Sequence, residues 1–269
     1  MNEPGRGSGA RGTGVRAVDT RQPATRGPGT RDSRRVTRSL LAFAAAGSLL
    51  VTLVAPHLPV LGPLEFDALV GFLAGLAPVL LLTWVIARGE LSLRATVGLM
   101  VVGVAGGLAL SWLGWVGAAV PFKVALAAGG GRLLGRQVAE GWWLAVVAIT
   151  AIVVDSWSVF AGPTKVLVEQ TPGVLDYLLI HFPVLGFPGA GLGLGLSDVV
   201  FLALLTTGAA ATGLRPRAGF AGMGGSLVVA VVVALVWRSA VPALPFVALA
   251  FLLTQADLLA GRLLRRGLQ

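Results

Sequence analysis

Long apolar stretches alternate with short polar ones from residue 39 of the chain onward. Each apolar stretch has about the twenty residues that a helix needs to cross a bilayer. Eight such stretches occur, at 39–57, 67–87, 95–113, 114–131, 141–161, 190–211, 219–237 and 241–260. The pattern predicts an all-α, polytopic transmembrane helix bundle of eight membrane helices, with nine as the alternative count.

The two ends of the chain differ from this apolar middle. Residues 1–38 are rich in Gly, Arg, Pro, Thr and Ser and show no hydrophobic periodicity. Such a composition predicts a disordered basic tail. We therefore expect a transmembrane helical domain over residues 39–261, followed by a short basic C-terminal tail at 262–269.

Charged residues make up only 12% of the 269 residues, where a soluble domain has about 25%. The net charge is +9, which by itself would permit binding to nucleic acid. However, the basic residues lie in the N-terminal tail and between the apolar segments, where they set topology and contact lipid headgroups. We expect membrane lipids as partners, and no nucleic acid.

The basic residues also predict an orientation. If the N-terminal tail is cytoplasmic, eighteen of the 21 basic residues lie on the cytoplasmic side, whereas only Lys165 and Arg238 lie outside and Lys123 lies within a segment. The positive-inside rule thus favours eight spans in the cell membrane with both termini cytoplasmic. The loop at 162–189 is then extracytoplasmic.

Two of the twelve acidic residues lie well inside apolar runs: Asp155 in "AITAIVVDSWSVFAG" and Asp198 in "GLGLGLSDVVFLALL". A carboxylate at membrane depth is costly and is therefore a functional candidate by default. At 1.5 Å per residue, both aspartates are expected about 10–12 Å below the outer membrane boundary. Consecutive antiparallel helices are usually neighbours, so the two carboxyl groups could face each other.

Two carboxyl groups in contact share a proton, because they cannot easily both ionise. The ionised carboxylate can then take a proton from water while the protonated one donates to a carbonyl oxygen. A carboxyl-lined path for protons or cations, in a transporter or channel, is an alternative use of the same residues. Two unrelated acids, each satisfied by its own neighbours, are the structural alternative.

Metal chemistry has little support in the sequence. The chain has no cysteine, and its two histidines, His57 and His181, lie far apart. Cysteine-ligated metals and disulfides are thereby excluded, and two isolated histidines do not predict a zinc site. We expect neither a metal nor another cofactor.

A third motif, Pro242-Ala243-Leu244, opens the last apolar segment. Together with Asp155 and Asp198 it resembles the presenilin and signal peptide peptidase family of intramembrane aspartyl proteases, in a prokaryotic-type form. That family has one aspartate in a Tyr-Asp context, a second in Gly-x-Gly-Asp, and a Pro-Ala-Leu motif in its last membrane helix. The similarity covers roughly residues 140–260.

The resemblance implies an intramembrane aspartic endopeptidase with Asp155 and Asp198 as its catalytic residues. It implies that the substrates are transmembrane helices or remnant signal peptides. It also implies that the substrate-binding wall is formed by Pro242, Ala243, Leu244, Gly195, Leu196 and Ser197.

This sequence departs from the family pattern at two positions. Val154 stands in place of the tyrosine, and Ser197 in place of the glycine directly before the second aspartate. A catalytically silent relative that binds membrane helices is therefore a further alternative. The sequence leaves open the natural substrate, the cleavage position, the aspartate that carries the proton, and the oligomeric state.

Two stretches of backbone next to these motifs are expected to be irregular. Pro242 lacks an N–H and has a fixed φ, so the last helix should begin only after a non-helical stretch. The glycine- and proline-rich residues 183–195 are expected to supply a mobile strand that pairs with an extended substrate. The glycines at 106, 107, 129 and 130 are expected to let helices approach closely.

Overall fold

The computed structural model describes residues 29–162, 170 and 172–266. Helices dominate this part of the chain. In order, they are α1 (Gly29–Val54), α2 (Leu64–Arg88), α3 (Leu93–Trp112), α4 (Val120–Arg136), α5 (Gly141–Phe160), α6 (Pro172–Leu178), α7 (Leu196–Ala211), α8 (Pro216–Trp237) and α9 (Leu244–Arg266). Strands β1 (Leu179–Val184) and β2 (Phe187–Gly195) lie between α6 and α7.

Six helices in the described part of the chain are long and apolar enough to cross a membrane: α1, α2, α3, α5, α8 and α9. Large apolar side chains such as Val101, Trp112 and Val153 are exposed on their outer faces, as expected of a surface that faces lipid. The protein is thus a multi-pass helical membrane bundle. Helices α4 and α7, with 17 and 16 residues, fall short of that length, so the count of eight spans stays a prediction.

Several helix ends differ from the predicted boundaries. Helix α1 begins at Gly29, so residues 29–38 are helical and do not belong to the predicted tail. Helix α4 covers 120–136 rather than 114–131, because Pro121 can occupy the first turn of a helix but not its interior. Helix α9 continues to Arg266, into the predicted C-terminal tail.

The largest difference is at the second aspartate, where the predicted segment 190–211 is part strand and part helix. Strand β2 covers the first six of these residues, and α7 begins at Leu196. Glycine and leucine alternate along residues 191–196, and a period of two is the period of a strand. Glycine also disfavours helix, so β2 forms within the stretch 183–195 that was expected to supply a strand, and it pairs with β1 in a β-hairpin that the all-α prediction lacked.

The hairpin is antiparallel, and Leu179 pairs with Gly195 at its open end. Its two-residue turn contains Gly186 with a φ of +69°, a conformation that L side chains rarely adopt. Strand β1 is largely buried against α2, where Phe182 packs edge-to-face on Phe72 with 4.8 Å between ring centroids. Strand β2 is mostly exposed and pairs only on its β1 side within the described chain.

Helices α4 and α7 form the centre of the bundle and pack closely on each other. A Cβ on Gly131 would collide with the carbonyl oxygen of Val200, and one on Gly135 would lie 2.6 Å from the carbonyl oxygen of Leu204. These two glycines therefore permit the backbones to touch. Helix α5 lies at the periphery and packs chiefly against α9.

Candidate active site

Asp198 lies in the first turn of α7, directly after the hairpin. Its Oδ2 accepts a hydrogen bond from the backbone N–H of Gly195 at 2.9 Å. An acid in the first helical turn that reaches back to the N-cap residue is half of a capping box; glycine has no side chain to complete the other half. The carboxyl group is only 6% exposed and is held at the junction of β2 and α7.

Asp155 lies in the last two turns of α5 and is half-buried. Its Oδ2 accepts the backbone N–H of Leu244, the first residue of α9, at 3.3 Å. The first N–H groups of a helix have no acceptor within it. In α9, Pro245 has no N–H, and the backbone N–H groups of Phe246 and Val247 donate to the carbonyl oxygen of Ala243. Asp155 thus supplies the acceptor that Leu244 would otherwise lack.

The carboxyl groups of Asp155 and Asp198 are close enough to interact electrostatically. The two carboxyl groups interact although α5 and α7 each pack mainly against another helix. The end of α5 and the starts of α7 and α9 therefore converge at one point. The structure brings all three sequence motifs together there, and the catalytic role of the two aspartates stays a prediction.

Pro242 and Ala243 lie directly before Leu244, the residue that donates to Asp155. Pro242 is buried in the non-helical stretch 238–243. Ala243 is the residue whose carbonyl starts the helical hydrogen bonding of α9. The expectation that the last helix begins only after a non-helical stretch is confirmed, with Leu244 as its first residue.

Val154 and Ser197 differ from the motifs of the family that the sequence resembles, and both have exposed side chains. Val154 is 55% exposed and lies on the outer face of α5. Ser197 is exposed as well, and its hydroxyl makes no hydrogen bond to Asp155 or Asp198. Leu196, between Gly195 and Ser197, is partly buried.

Lys123 is a buried residue near the site whose role the sequence left unassigned. It lies in α4, is 3% exposed, and donates through Nζ to the backbone carbonyls of Asp176 and Leu179. Next to it, Nε2 of His181 lies 3.3 Å from the Asp176 carboxylate. These contacts fix the start of β1 on the bundle. A lone lysine within an apolar segment was the signal for such a role.

Asp67 is a second buried residue whose role the sequence did not predict. Its carboxylate accepts the backbone N–H groups of Leu61 and Gly62 at 3.0 and 3.4 Å. Its own carbonyl accepts the N–H of Leu185, in the hairpin turn, at 3.4 Å. Asp67 therefore holds the α1–α2 connection against the tip of the hairpin.

The chemistry available at the site is that of two carboxyl groups. Within residues 29–162, 170 and 172–266, no three His, Asp or Glu side chains come together in a way that could hold a metal ion. Comparison with known proteins adds no assignment: no protein-family model matches the chain, and no curated protein matches it significantly.

Proposed function

We propose that the protein is an intramembrane aspartic endopeptidase that hydrolyses peptide bonds within transmembrane helices or remnant signal peptides. The observation that carries this proposal is that the carboxyl groups of Asp155 and Asp198, on different helices of a membrane bundle, lie close enough to interact electrostatically. The bond from Leu244 to Asp155 supports it by joining the Pro-Ala-Leu segment to the same pair.

In the proposed reaction, the ionised aspartate removes a proton from a water molecule, and the oxygen of that water attacks the peptide carbonyl carbon. The protonated aspartate donates its proton to the carbonyl oxygen, which gives a neutral tetrahedral diol. The C–N bond then breaks as a proton passes to the amine. The products are a carboxyl terminus and a free amine, and the pair again holds one proton.

The exposed edge of β2 provides a place for the substrate. A helical substrate hides its amides in its own hydrogen bonds and must unwind before cleavage. An unwound segment can add to β2 as a third strand, and β2 leads through Gly195 directly to Asp198. Main-chain pairing along β2 would thus guide a peptide bond to the carboxyl pair whatever its side chains.

The proposed orientation follows from the arginines and lysines. With both termini in the cytoplasm, the site lies toward the extracytoplasmic side of the cell membrane. This is the arrangement of signal peptide peptidases, so type II membrane helices and remnant signal peptides are the expected substrates. Labelling of single cysteines introduced in 162–189 tests the orientation; labelling from the cytoplasmic side would contradict it.

The proposal is tested by incubating the purified full chain with a model type II transmembrane peptide and detecting fragments by mass spectrometry. Wild type is compared with Asp155→Ala and Asp198→Ala. Asp257→Ala is the matched control, because Asp257 is an exposed acid on α9 whose carboxylate pairs with Arg215. Cleavage by wild type and the control alone supports the proposal.

The same preparations distinguish the rival functions. A transporter or channel predicts proton or cation flux in proteoliposomes that depends on both aspartates, without cleavage. A silent helix-binding relative predicts peptide capture that neither substitution changes. Cleavage that persists in either aspartate variant would overturn the assignment of a catalytic pair.

A further inference from the structure

Four arginines gather at the end of the bundle opposite the carboxyl pair. Arg88 ends α2, Arg94 lies in the first turn of α3, and Arg132 and Arg136 lie near the end of α4. Arg88 and Arg136 lie close enough to Arg132 for their charges to interact with it. Nη2 of Arg136 lies 3.5 Å from the carbonyl oxygen of Leu91, just before α3. The arginines of α2, α3 and α4 thus form one basic cluster.

The arginines of this basic cluster differ in how far their side chains are exposed. Arg132 is 3% exposed and donates to the carbonyls of Ile86, Ala87 and Leu91, so it holds the end of α2 in place. Arg88, Arg94 and Arg136 are exposed. The stretches 88–94 and 132–140 contain four arginines and two acidic residues, Glu90 and Glu140, so the cluster is net positive.

An apolar groove of about 430 Å³ lies between α3 and α4 beside this cluster. Every side chain that lines it is apolar; they include Val97, Met100, Val101, Val104, Leu126 and Leu133. From Val97 to Val104 the groove follows about 10 Å of α3. It opens on the outer surface of the bundle, where the surrounding medium is hydrocarbon.

The groove and the cluster share a face of each helix. Arg94 precedes Val97 by three residues, and Arg136 follows Leu133 by three. Residues three apart on a helix are surface neighbours. Each helix therefore places an exposed guanidinium at the same end of the groove, one turn beyond its last apolar lining residue.

We propose that this groove binds an anionic phospholipid, with an acyl chain along α3 and α4 and the phosphate group between Arg94 and Arg136. Charge complementarity selects this occupant. An apolar helix of a second copy would fill the groove but leave the guanidinium groups without an anion, and a headgroup with its own cation would be repelled by the cluster. The site is independent of the proposed peptidase activity.

The test uses the delipidated full chain in detergent, mixed with phosphatidylglycerol and phosphatidylcholine of identical acyl chains. Native mass spectrometry measures which lipid is retained. Wild type should favour phosphatidylglycerol by about twenty-five-fold, because each basic residue at a membrane surface contributes about fivefold. The double variant Arg94→Gln/Arg136→Gln should lose that preference, and Arg217→Gln, an exposed arginine at the start of α8, should keep it.

A second pair of variants tests whether an acyl chain lies in the apolar groove. Val104→Trp fills the groove and should reduce retention of both lipids. Val102→Trp adds the same bulk to an exposed position of α3 that is not among those lining the groove and should change neither. The proposal is overturned if wild type retains both lipids equally, if the double variant keeps its preference, if the two tryptophan variants behave alike, or if dimers with a lipid-free groove form.

Discussion

The backbone N–H of Leu244 donates to the carboxylate of Asp155 over 3.3 Å, between residues 89 positions apart in the chain. The bond joins the first residue of α9 to the end of α5. It also gives Asp155 a structural role that can be separated from any role in catalysis, because an amide oxygen can accept the same N–H.

We predict that Asp155→Ala is less stable than Asp155→Asn. The alanine leaves the Leu244 N–H without an acceptor, and losing a cap costs about 1 kcal/mol. Both variants lack the carboxylate charge, so the effect of removing that charge on the free energy of unfolding cancels when the two variants are compared. Thermal unfolding in detergent measures the difference; equal midpoints would show that the bond contributes nothing.

Gly131 and Gly130 are neighbours on α4, but we expect alanine to be tolerated only at Gly130. An added Cβ at Gly131 would collide with the Val200 carbonyl and lie 2.8 Å from Ala203, whereas one at Gly130 would meet only Met100, at 3.8 Å. Gly131→Ala should therefore destabilise the protein by about 1–3 kcal/mol through overpacking. Gly130→Ala should be neutral or slightly stabilising. A similar unfolding temperature for the two variants would argue against close α4–α7 contact.

Gly195 is the residue where an added methyl group would reach the candidate site. Its Cβ would lie 3.1 Å from both Asp198 Oδ2 and Ser197 Oγ. We expect Gly195→Ala to slow peptide cleavage roughly tenfold or more, because small displacements of reacting groups are costly. Gly98→Ala, where nothing lies within 4 Å, is the control. Equal cleavage rates in the two variants would show that the position is not close to the reacting groups.

His181 makes the hairpin sensitive to pH. Burial lowers the pKa of His181, and the nearby charge of Lys123 lowers this pKa further, against the opposing effect of Asp176. The unfolded chain takes up a proton near pH 6.5, while the folded hairpin resists protonation. The hairpin should therefore lose stability as pH falls below about 6.5.

Hydrogen exchange of the amides in 179–195 measures this effect. Protection should be greater at pH 7.5 than at pH 5 after correction for the intrinsic exchange rate. His181→Gln should remove most of the difference, since glutamine does not titrate. An unchanged pH dependence in His181→Gln would assign the effect to other groups.

The sequence predicted the helical membrane bundle well because its apolar stretches have the length and continuity of spanning helices. From their depths in consecutive segments it also indicated that Asp155 and Asp198 could face each other, and the two carboxyl groups lie close enough to interact electrostatically. It placed a pairing strand within 183–195, where β2 lies, but it also assigned residues 190–195 to a membrane helix and did not predict the partner strand β1. The alternation of glycine and leucine with a period of two was the overlooked signal for a strand.

The contacts that hold the site could not be predicted from spacing. Lys123 binds backbone carbonyls more than fifty residues away, and Asp155 accepts a backbone N–H from α9. Backbone partners of this kind leave no pattern in side-chain sequence. The outward positions of Val154 and Ser197 likewise depend on how the helices are rotated in the bundle.

The central claim is that Asp155 and Asp198 act as one catalytic pair. The most direct test is the rate of fragment appearance from a type II transmembrane peptide reconstituted in liposomes with wild type, Asp155→Asn or Asp198→Asn. Both asparagine variants keep the size and an oxygen acceptor of the native side chain, so the bundle should remain folded. We predict cleavage by wild type and none above background in either variant; cleavage above background by either variant would contradict the claim.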